Sequence, residues 1–290
     1  MKFKNKKYQN MYETFLTILN EYSSQGHIEI LHRGFDKVYA FKKFNLNTDY
    51  NSIEQFGERL FFFGEKSKYF EIEKYDLEIK LDDISKTIFE KLFDIFSNLD
   101  FDSISPLFYE NNKDVCRYFS VNNQDEFIQN IMSLDEKCRT YMRNYYSSIL
   151  HQLDNNDLKK ESFFVSSSSE FSQANYFSFG KKGIVINFWN WKSKEHKCNF
   201  DNIPYFDGVP FPNENETSVF GAIFPHYIYS FEHDGQLYIN PALFDEKELE
   251  IILYTGFEID QTDFKNKLQK MTSYKSYLEN DNDEFTEKNL

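Results

Sequence analysis

A chain of 290 residues with 40% hydrophobic content can bury a substantial core, as one large domain or two small ones. The net charge of −14 argues against generic binding to nucleic acid, because phosphate contacts need a positive field. Three widely spaced cysteines, no apolar signal core and no run of about 20 apolar residues indicate a cytoplasmic protein without a membrane partner. The 33 Phe and 20 Tyr residues are interpreted first as core.

The first part of the chain predicts a helix followed by extended segments. Apolar residues recur at helical spacing over residues 8–22, and Gly26 follows as a stop signal. Residues 27–35 then alternate as a strand. Residues 60–63 and 69–81 are predicted to be further extended segments.

The middle of the chain is predicted to be helical. Asp83 can cap a first helix, whose apolar positions recur up to residue 99. A second long helix is predicted at about residues 124–153. These helices are interpreted as an insertion at about residues 83–153 of a single domain that spans residues 1–278.

The pattern becomes β after the polar break at residues 154–157. A last helix is predicted at residues 264–277, and the polar, acidic tail at residues 279–290 is expected to be disordered. The predicted strands are residues 162–167, 183–189, 222–231, 236–239 and 248–253.

Three local patterns in this framework carry chemistry, and the first is Arg33-Gly34 at the end of the first predicted strand. An arginine directly before a glycine is common. The pair is therefore also typical of an ordinary strand that ends in a turn.

The second pattern is an aromatic strand that ends in a run of serines. Phe164 and Val165 precede Ser166, and Ala174 and Phe177 follow at a spacing of three, as on one face of a short helix. A strand followed by a serine-capped helix produces the same pattern without any active site.

The third pattern is Glu248-x-Glu250, which leads into an apolar strand and then Gly256. Residues two apart on a strand point to the same face, so the two carboxylates would project side by side. An edge strand with a solvated face is the alternative. The same spacing occurs in this acidic chain at Glu71/Glu73, Glu214/Glu216 and Glu246/Glu248.

Taken in order, the three patterns resemble the arginine–serine–glutamate class of ADP-ribosyltransferases. In that family an arginine ends the first core strand, a Ser-Thr-Ser-like motif follows an aromatic strand, and a Glu-x-Glu motif opens a late strand. The matching residues are Arg33 for the first motif, Ser166, Ser167 and Ser168 for the second, and Glu248 and Glu250 for the third.

The resemblance implies an α+β fold with a split, mostly antiparallel sheet core around the active cleft, and NAD as the substrate. Glu250 would stabilise the positive charge that develops on the ribose as nicotinamide leaves. Ser166 would orient the ribose, and Glu248 would bind and deprotonate the acceptor. The residues that the resemblance implies for NAD binding are Arg33, Gly34, Ser167, Ser168 and Phe177.

The function that follows is cleavage of NAD at its nicotinamide–ribose bond, with transfer of ADP-ribose to a macromolecular acceptor or to water. Members of the family act as toxins or defence effectors. The alternative is a non-catalytic α+β module that binds a protein partner through an acidic, aromatic-rich surface. No metal site is predicted, because the spacing of His196, Cys198, His226 and His233 fits no tight ligand motif.

Overall fold

The structure is a computed structural model, and it has an α+β fold with an antiparallel sheet and several helices. This confirms the predicted fold class at that level. None of the helices in the described part of the chain combines the length and the apolar character that crossing a membrane would require. The described residues are 6–66, 86–99, 106–151, 163–191, 197–198, 216–220, 222–223 and 227–240.

Residues 6–66 form three helices and two strands. The prediction of an extended segment at residues 60–63 is wrong, because these residues form the last turn of a helix. A capping box of Ser52 and Gln55 starts that helix, and Phe56 and Leu60 lie four apart on its buried face. The elements are α1 (Lys6–Ser24), β1 (Ile28–Phe35), α2 (Lys37–Lys43), α3 (Ile53–Phe63) and β2 (Glu65–Lys66).

The middle of the chain is helical, as the sequence predicts, but the long helix predicted at residues 124–153 is wrong in one respect. It is broken at residues 133–135, where the Asp135 carboxylate accepts a hydrogen bond from the backbone N–H of Cys138 and starts a new helix. The helices are α4 (Lys86–Ser97), α5 (Pro106–Asn111), α6 (Lys113–Val121), α7 (Gln124–Met132) and α8 (Glu136–His151).

Aromatic rings hold these helices together. The buried ring of Phe119 has its centroid 4.8 Å from that of Phe96, 5.2 Å from that of Phe127 and 5.4 Å from that of Phe93. Tyr146 joins them from α8 at 5.3 Å. Many of the aromatic side chains therefore pack in the core, which is the role that the composition indicated for them.

The later strands follow the predicted order with one correction. The single strand predicted at residues 222–231 is two strands in different sheets. The predictions for residues 69–81, 248–253, 264–277 and 279–290 lie outside the described residues. The elements are β3 (Phe164–Ser168), α9 (Phe171–Phe177), β4 (Ile184–Trp191), β5 (Lys197–Cys198), β6 (Glu216–Phe220), β7 (Ala222–Ile223), β8 (Ile228–His233) and β9 (Gln236–Ile239).

The main sheet has the strand order β5-β6-β3-β1-β4-β8-β9, and a second sheet pairs β2 with β7. Strand β1 pairs with β4 along its whole length, from Ile28 to Phe35. It pairs with β3 at one position only, His32 opposite Ser168. The sheet is therefore open on either side of that pair, and we call this junction the β1–β3 seam.

A shallow, open depression of about 270 Å³ borders the seam. The first residues of β1, among them Ile28 and Ile30, line one side, and Ser169 and Thr217 line the other. The depression therefore lies at the start of β1, and neither Arg33 nor Ser166 lines it.

Helix α9 packs directly on β1 through Gly34. A Cβ atom at Gly34 would lie 1.6 Å from the carbonyl oxygen of Ala174 and 3.0 Å from the backbone nitrogen of Ser178. Only glycine permits this approach of helix to strand. The glycine of the arginine motif thus has a packing role in the structure.

Substitution of Gly34 by alanine should destabilise the protein, by about 3 kcal/mol or more, because backbone atoms cannot yield to the new Cβ as a flexible side chain would. Gly26→Ala is the matched control, since its Cβ would meet nothing within 4 Å and only its left-handed backbone is strained, at a cost of about 1 kcal/mol. Denaturant unfolding of both variants measures the difference, and equal losses would contradict the packing role.

Candidate functional site

The structure brings Arg33 and Ser166 together although 133 residues separate them in the chain. Nη1 of Arg33 donates a hydrogen bond of 2.6 Å to the backbone carbonyl of Ser166. The contact crosses the β1–β3 seam, where the ladder of backbone hydrogen bonds is almost absent. The arginine therefore joins the two strands that the sheet itself barely connects.

A buried carboxylate, Glu65, holds Arg33 in place from the other side. Nε of Arg33 lies 2.8 Å from both carboxylate oxygens of Glu65, and Nζ of Lys43 lies 2.8 Å from one of them. Glu65 is only 1% exposed. Burial alone would raise the pKa of Glu65, but the charges of Arg33 and Lys43 outweigh it and hold that pKa below its usual value.

A second buried carboxylate, Glu216, lies on the other side of Ser166. Nε2 of His151 is 3.0 Å from the Ser166 hydroxyl and 2.9 Å from Oε1 of Glu216. The Ser218 hydroxyl donates to the same carboxylate oxygen at 2.8 Å. The side chains of His151 and Glu216 are 10% and 8% exposed, so water competes little with these contacts.

These contacts keep Glu216 charged. Burial raises the pKa of a carboxyl group, but the hydrogen bond and charge of His151, with hydrogen bonds to Ser218 and Ser166, outweigh burial here and lower the pKa of Glu216. At neutral pH the site therefore contains an anionic carboxylate that is fixed in orientation and largely shielded from water.

The arrangement of Ser166, His151 and Glu216 is not that of a serine hydrolase. In such a relay the imidazole accepts the serine proton on one nitrogen and donates to the acid from the other. Here the Ser166 hydroxyl and the Glu216 carboxylate both contact the same nitrogen of His151, Nε2. An ionised carboxylate can only accept, so Nε2 carries the hydrogen and is not a base for Ser166.

The other predicted site residues have structural contacts. The Ser167 hydroxyl donates to the carbonyl of Thr217 and ties β3 to β6, and the Ser168 hydroxyl accepts from the backbone N–H of Glu170 at the start of α9. Phe177 is 42% exposed at the end of α9, where its ring meets that of Tyr176.

Glu248 and Glu250 lie outside the described residues, and their assignment stays a prediction. Glu216 belongs to a Glu-x-Glu pair with Glu214 and opens strand β6, which lies beside the serine strand. A strand with Val219 and Phe220 follows it, and Gly221 comes next. These signals were visible in the sequence, but they are the same signals that favoured Glu250.

Sequence reasoning also missed His151 and Glu65. Neither belongs to a motif: His151 is the last residue of α8, and Glu65 opens β2 after Gly64, which caps the end of α3. No local signal could have identified them, since both owe their role to contacts with residues far away in the chain.

Comparisons with known proteins return nothing: no protein-family model, no curated protein and no solved structure matches this chain. Among the residues that the structure describes, no group of three or more His, Cys, Asp or Glu side chains is arranged to hold a metal ion. Inference about function therefore depends on the geometry of the site.

The Glu65 cluster predicts a pH dependence of stability. The pKa of Glu65 in the folded protein lies below 4.5, so its contribution to the free energy of unfolding is complete above about pH 4.5 and is lost as the pH falls through the folded-state value. Glu65→Gln should lower the free energy of unfolding at pH 7 by about 3 to 5 kcal/mol, because two cations lose their buried partner. It should also make the decline below pH 4.5 shallower than in the wild type.

Urea unfolding at several pH values measures both effects. Glu90→Gln is the control, because Glu90 forms an exposed ion pair with Lys86 within one helix and should alter neither stability nor its pH dependence measurably. An unchanged slope in Glu65→Gln would show that the cluster does not stabilise the fold through charge.

Proposed function

We propose that the protein is an ADP-ribosyltransferase-like enzyme that cleaves NAD at the nicotinamide–ribose bond, with Glu216 as its catalytic glutamate. The observation that carries this proposal is a chain of hydrogen bonds across three adjacent strands, β1, β3 and β6. Arg33 bonds to the backbone carbonyl of Ser166, and the Ser166 hydroxyl and the Glu216 carboxylate both contact Nε2 of His151.

The chemistry suits these side chains. When the bond to the anomeric carbon breaks, nicotinamide leaves with the electron pair and positive charge develops on the ribose. The anionic Glu216 accepts a hydrogen bond from the adjacent ribose hydroxyl and stabilises that charge. Its fixed orientation, held by His151 and Ser218, spares the reaction the cost of reorganising the carboxylate.

Arg33 is suited to the pyrophosphate of NAD. Its Nε and one Nη1 hydrogen are committed to Glu65 and Ser166, and an arginine has five N–H donors in a rigid plane. The other N–H donors of Arg33 are not used in contacts with described residues and can bind a phosphate. The contact with Glu65 fixes the plane of the guanidinium group and so the direction of these donors. The anomeric carbon of the ADP-ribosyl group then bonds to a nucleophile of a macromolecular acceptor or to water, and the nucleophile loses its proton to solvent. Transfer to an acceptor is the reaction expected of a toxin or defence effector.

The second candidate function is a module that binds a protein partner without catalysis. The observation that favours it is a set of exposed aromatic side chains on α9 and the turn after it, where Tyr176 and Phe179 are each 75% exposed. Exposed rings of this kind are typical of interaction surfaces. A protein of this class would neither cleave NAD nor depend on Glu216.

Replacement of Glu216 by glutamine should lower the rate of NAD cleavage by about 100-fold or more, because it removes the charge that stabilises the transition state. Release of nicotinamide and transfer of labelled ADP-ribose to lysate proteins both measure the rate. Glu126→Gln, an exposed change on α7, is the control and should retain wild-type activity.

The same assay decides between the two candidate glutamates. Glu250→Gln should retain activity if Glu216 is catalytic and should abolish it if the assignment from sequence is right. A wild-type protein that releases no nicotinamide would refute the enzyme function and favour the binding module.

His151 should act as a positioning residue for Glu216. His151→Leu removes the N–H that orients the carboxylate and should lower kcat about tenfold or more with little change in KM. His151→Gln keeps an N–H donor near the place of Nε2 and should restore most of the rate. If both variants lost only stability, with kcat unchanged in the folded fraction, His151 would have a structural role alone.

A further inference from the structure

Exposed aromatic rings cluster at the end of α9 and in the turn that follows it. Tyr176 and Phe179 are each 75% exposed, and Phe177 is 42% exposed. The rings of Tyr176 and Phe177 are in contact, with their centroids 5.6 Å apart. Because the backbone of α9 packs on β1 at Gly34, these side chains stand on a rigid support. We call Tyr176, Phe177 and Phe179 the α9 aromatic patch.

The backbone of Phe179 has a conformation that favours glycine. Phe179 directly follows Ser178, the C-cap of α9, and its φ of +58° lies in the left-handed region. Glycine is the usual residue at this position after a helix, because a Cβ atom is strained there. The other non-glycine residues with positive φ in the described part of the chain are Asn45 and Asp234, of the types that tolerate it best.

An exposed phenylalanine at a glycine position is unfavourable to the fold in two ways. Its backbone is strained, and its ring presents apolar surface to water. Glycine at this position would avoid both costs. Strained residues of this kind cluster at functional sites, where a role outside the fold determines the side chain. We therefore interpret the patch as a surface that a ligand covers.

The size of the patch argues against a second copy of the chain as that ligand. Aromatic side chains of about 200 Å² each, at these exposed fractions, present roughly 400 Å² of surface. A stable dimer buries about 800 Å² on each partner. An area of half that size suits two or three side chains of a short peptide segment, and it is typical of functional patches on monomers.

Charge distinguishes a protein segment from a membrane surface. The described charged side chains nearest to the patch along the chain are Glu170 before α9 and Lys182 after it, which are both exposed and offset each other. The net charge of the whole chain, −14, therefore sets the long-range field. This field attracts a basic partner and repels an anionic lipid surface. Exposed aromatic faces also bind arginine and lysine side chains.

We propose that the α9 aromatic patch docks a short basic segment of a partner protein. Apolar side chains of that segment pack against the three rings, and its arginine or lysine side chains stack over the ring faces. The proposal goes beyond NAD cleavage and does not depend on it. It also assigns Phe177 to protein binding, in place of the NAD contact that the resemblance implied.

Replacement of Phe179 by glycine separates docking from folding and from charge. Phe179→Gly removes one ring, relieves the backbone and leaves the net charge unchanged. It should therefore be at least as stable to urea as the wild type, yet bind the segment about tenfold or more weakly. Tyr50→Ser is the control, because it removes an 87% exposed ring outside the patch and should not alter binding.

The probes are labelled synthetic peptides of about twelve residues, and fluorescence anisotropy measures their binding. In one set lysine and arginine alternate with leucine and phenylalanine at varied spacing. A second set has glutamate in place of the cations, and a third has serine in place of the apolar residues. The wild type should bind members of the first set about tenfold or more tightly than the other two sets.

Two results with these peptides overturn the proposal. Binding of the first set that Phe179→Gly leaves unchanged would show a general attraction of charge, because the variant keeps the charge of the wild type. Failure of the wild type to bind any set would show that the patch is not a docking surface for such segments.

Two further measurements test the other occupants of the patch. Sedimentation at increasing protein concentration detects a second copy, and flotation with vesicles of phosphatidylcholine and phosphatidylserine detects a membrane surface. Self-association or vesicle binding that Phe179→Gly abolishes, without binding of the basic peptides, overturns the proposal.

Nicotinamide release from NAD, measured on the same proteins, distinguishes this inference from the proposed function. Phe179→Gly should release nicotinamide at the wild-type rate. A wild type that binds the basic peptides but cleaves no NAD refutes the proposed function and leaves the docking surface standing. A wild type that cleaves NAD but binds no peptide refutes the docking surface and leaves the proposed function standing.

Discussion

The buried ion cluster of Glu65 with Arg33 and Lys43 is the constraint on which the site depends. Burying a carboxylate is costly unless cations satisfy it, and here two cations converge on one carboxylate. Because Lys43 ends α2 and Arg33 lies on β1, the cluster fixes both elements relative to β2. It also fixes the guanidinium group of Arg33, which donates a hydrogen bond to the Ser166 carbonyl across the seam. Loss of Glu65 would therefore disturb the geometry of the site as well as stability.

The proposed function places the substrate at the seam, and the pairing of the strands gives a physical reason for that location. A fully paired sheet fills its own backbone hydrogen bonds and presents closely spaced side chains, whereas strands that diverge leave room for a ligand between them. Side-chain contacts replace the missing ladder: Arg33 to the Ser166 carbonyl, and His151 to both Ser166 and Glu216. The polar groups that hold the seam together are the ones to which the proposed function assigns contacts with the substrate.

Sequence reasoning could predict what is periodic and local. It found β1, β3, β4 and β9 and the helical middle, because alternation and helical spacing are properties of short segments. It placed residues 60–63 in a strand, where burial against the core maintains a helix, and it missed the helix break before Asp135. The motifs singled out Arg33 and Ser166, which are in contact in the structure, and their roles in a site stay a prediction. The contacts of Glu65, His151 and Glu216 could not be predicted, since four Glu-x-Glu pairs compete in the sequence and only the pairing of β6 with β3 distinguishes one of them.

The distribution of charge gives a last argument for the assignment of Glu216. Arg33 and Lys43 share one carboxylate, so that side of the site keeps a net positive charge. Glu216 is held in its anionic form on the other side, with a lowered pKa and with His151 and Ser218 as hydrogen-bond partners. A substrate that suits this polarity carries anionic phosphates at one end and develops positive charge at the other, as NAD does when nicotinamide leaves.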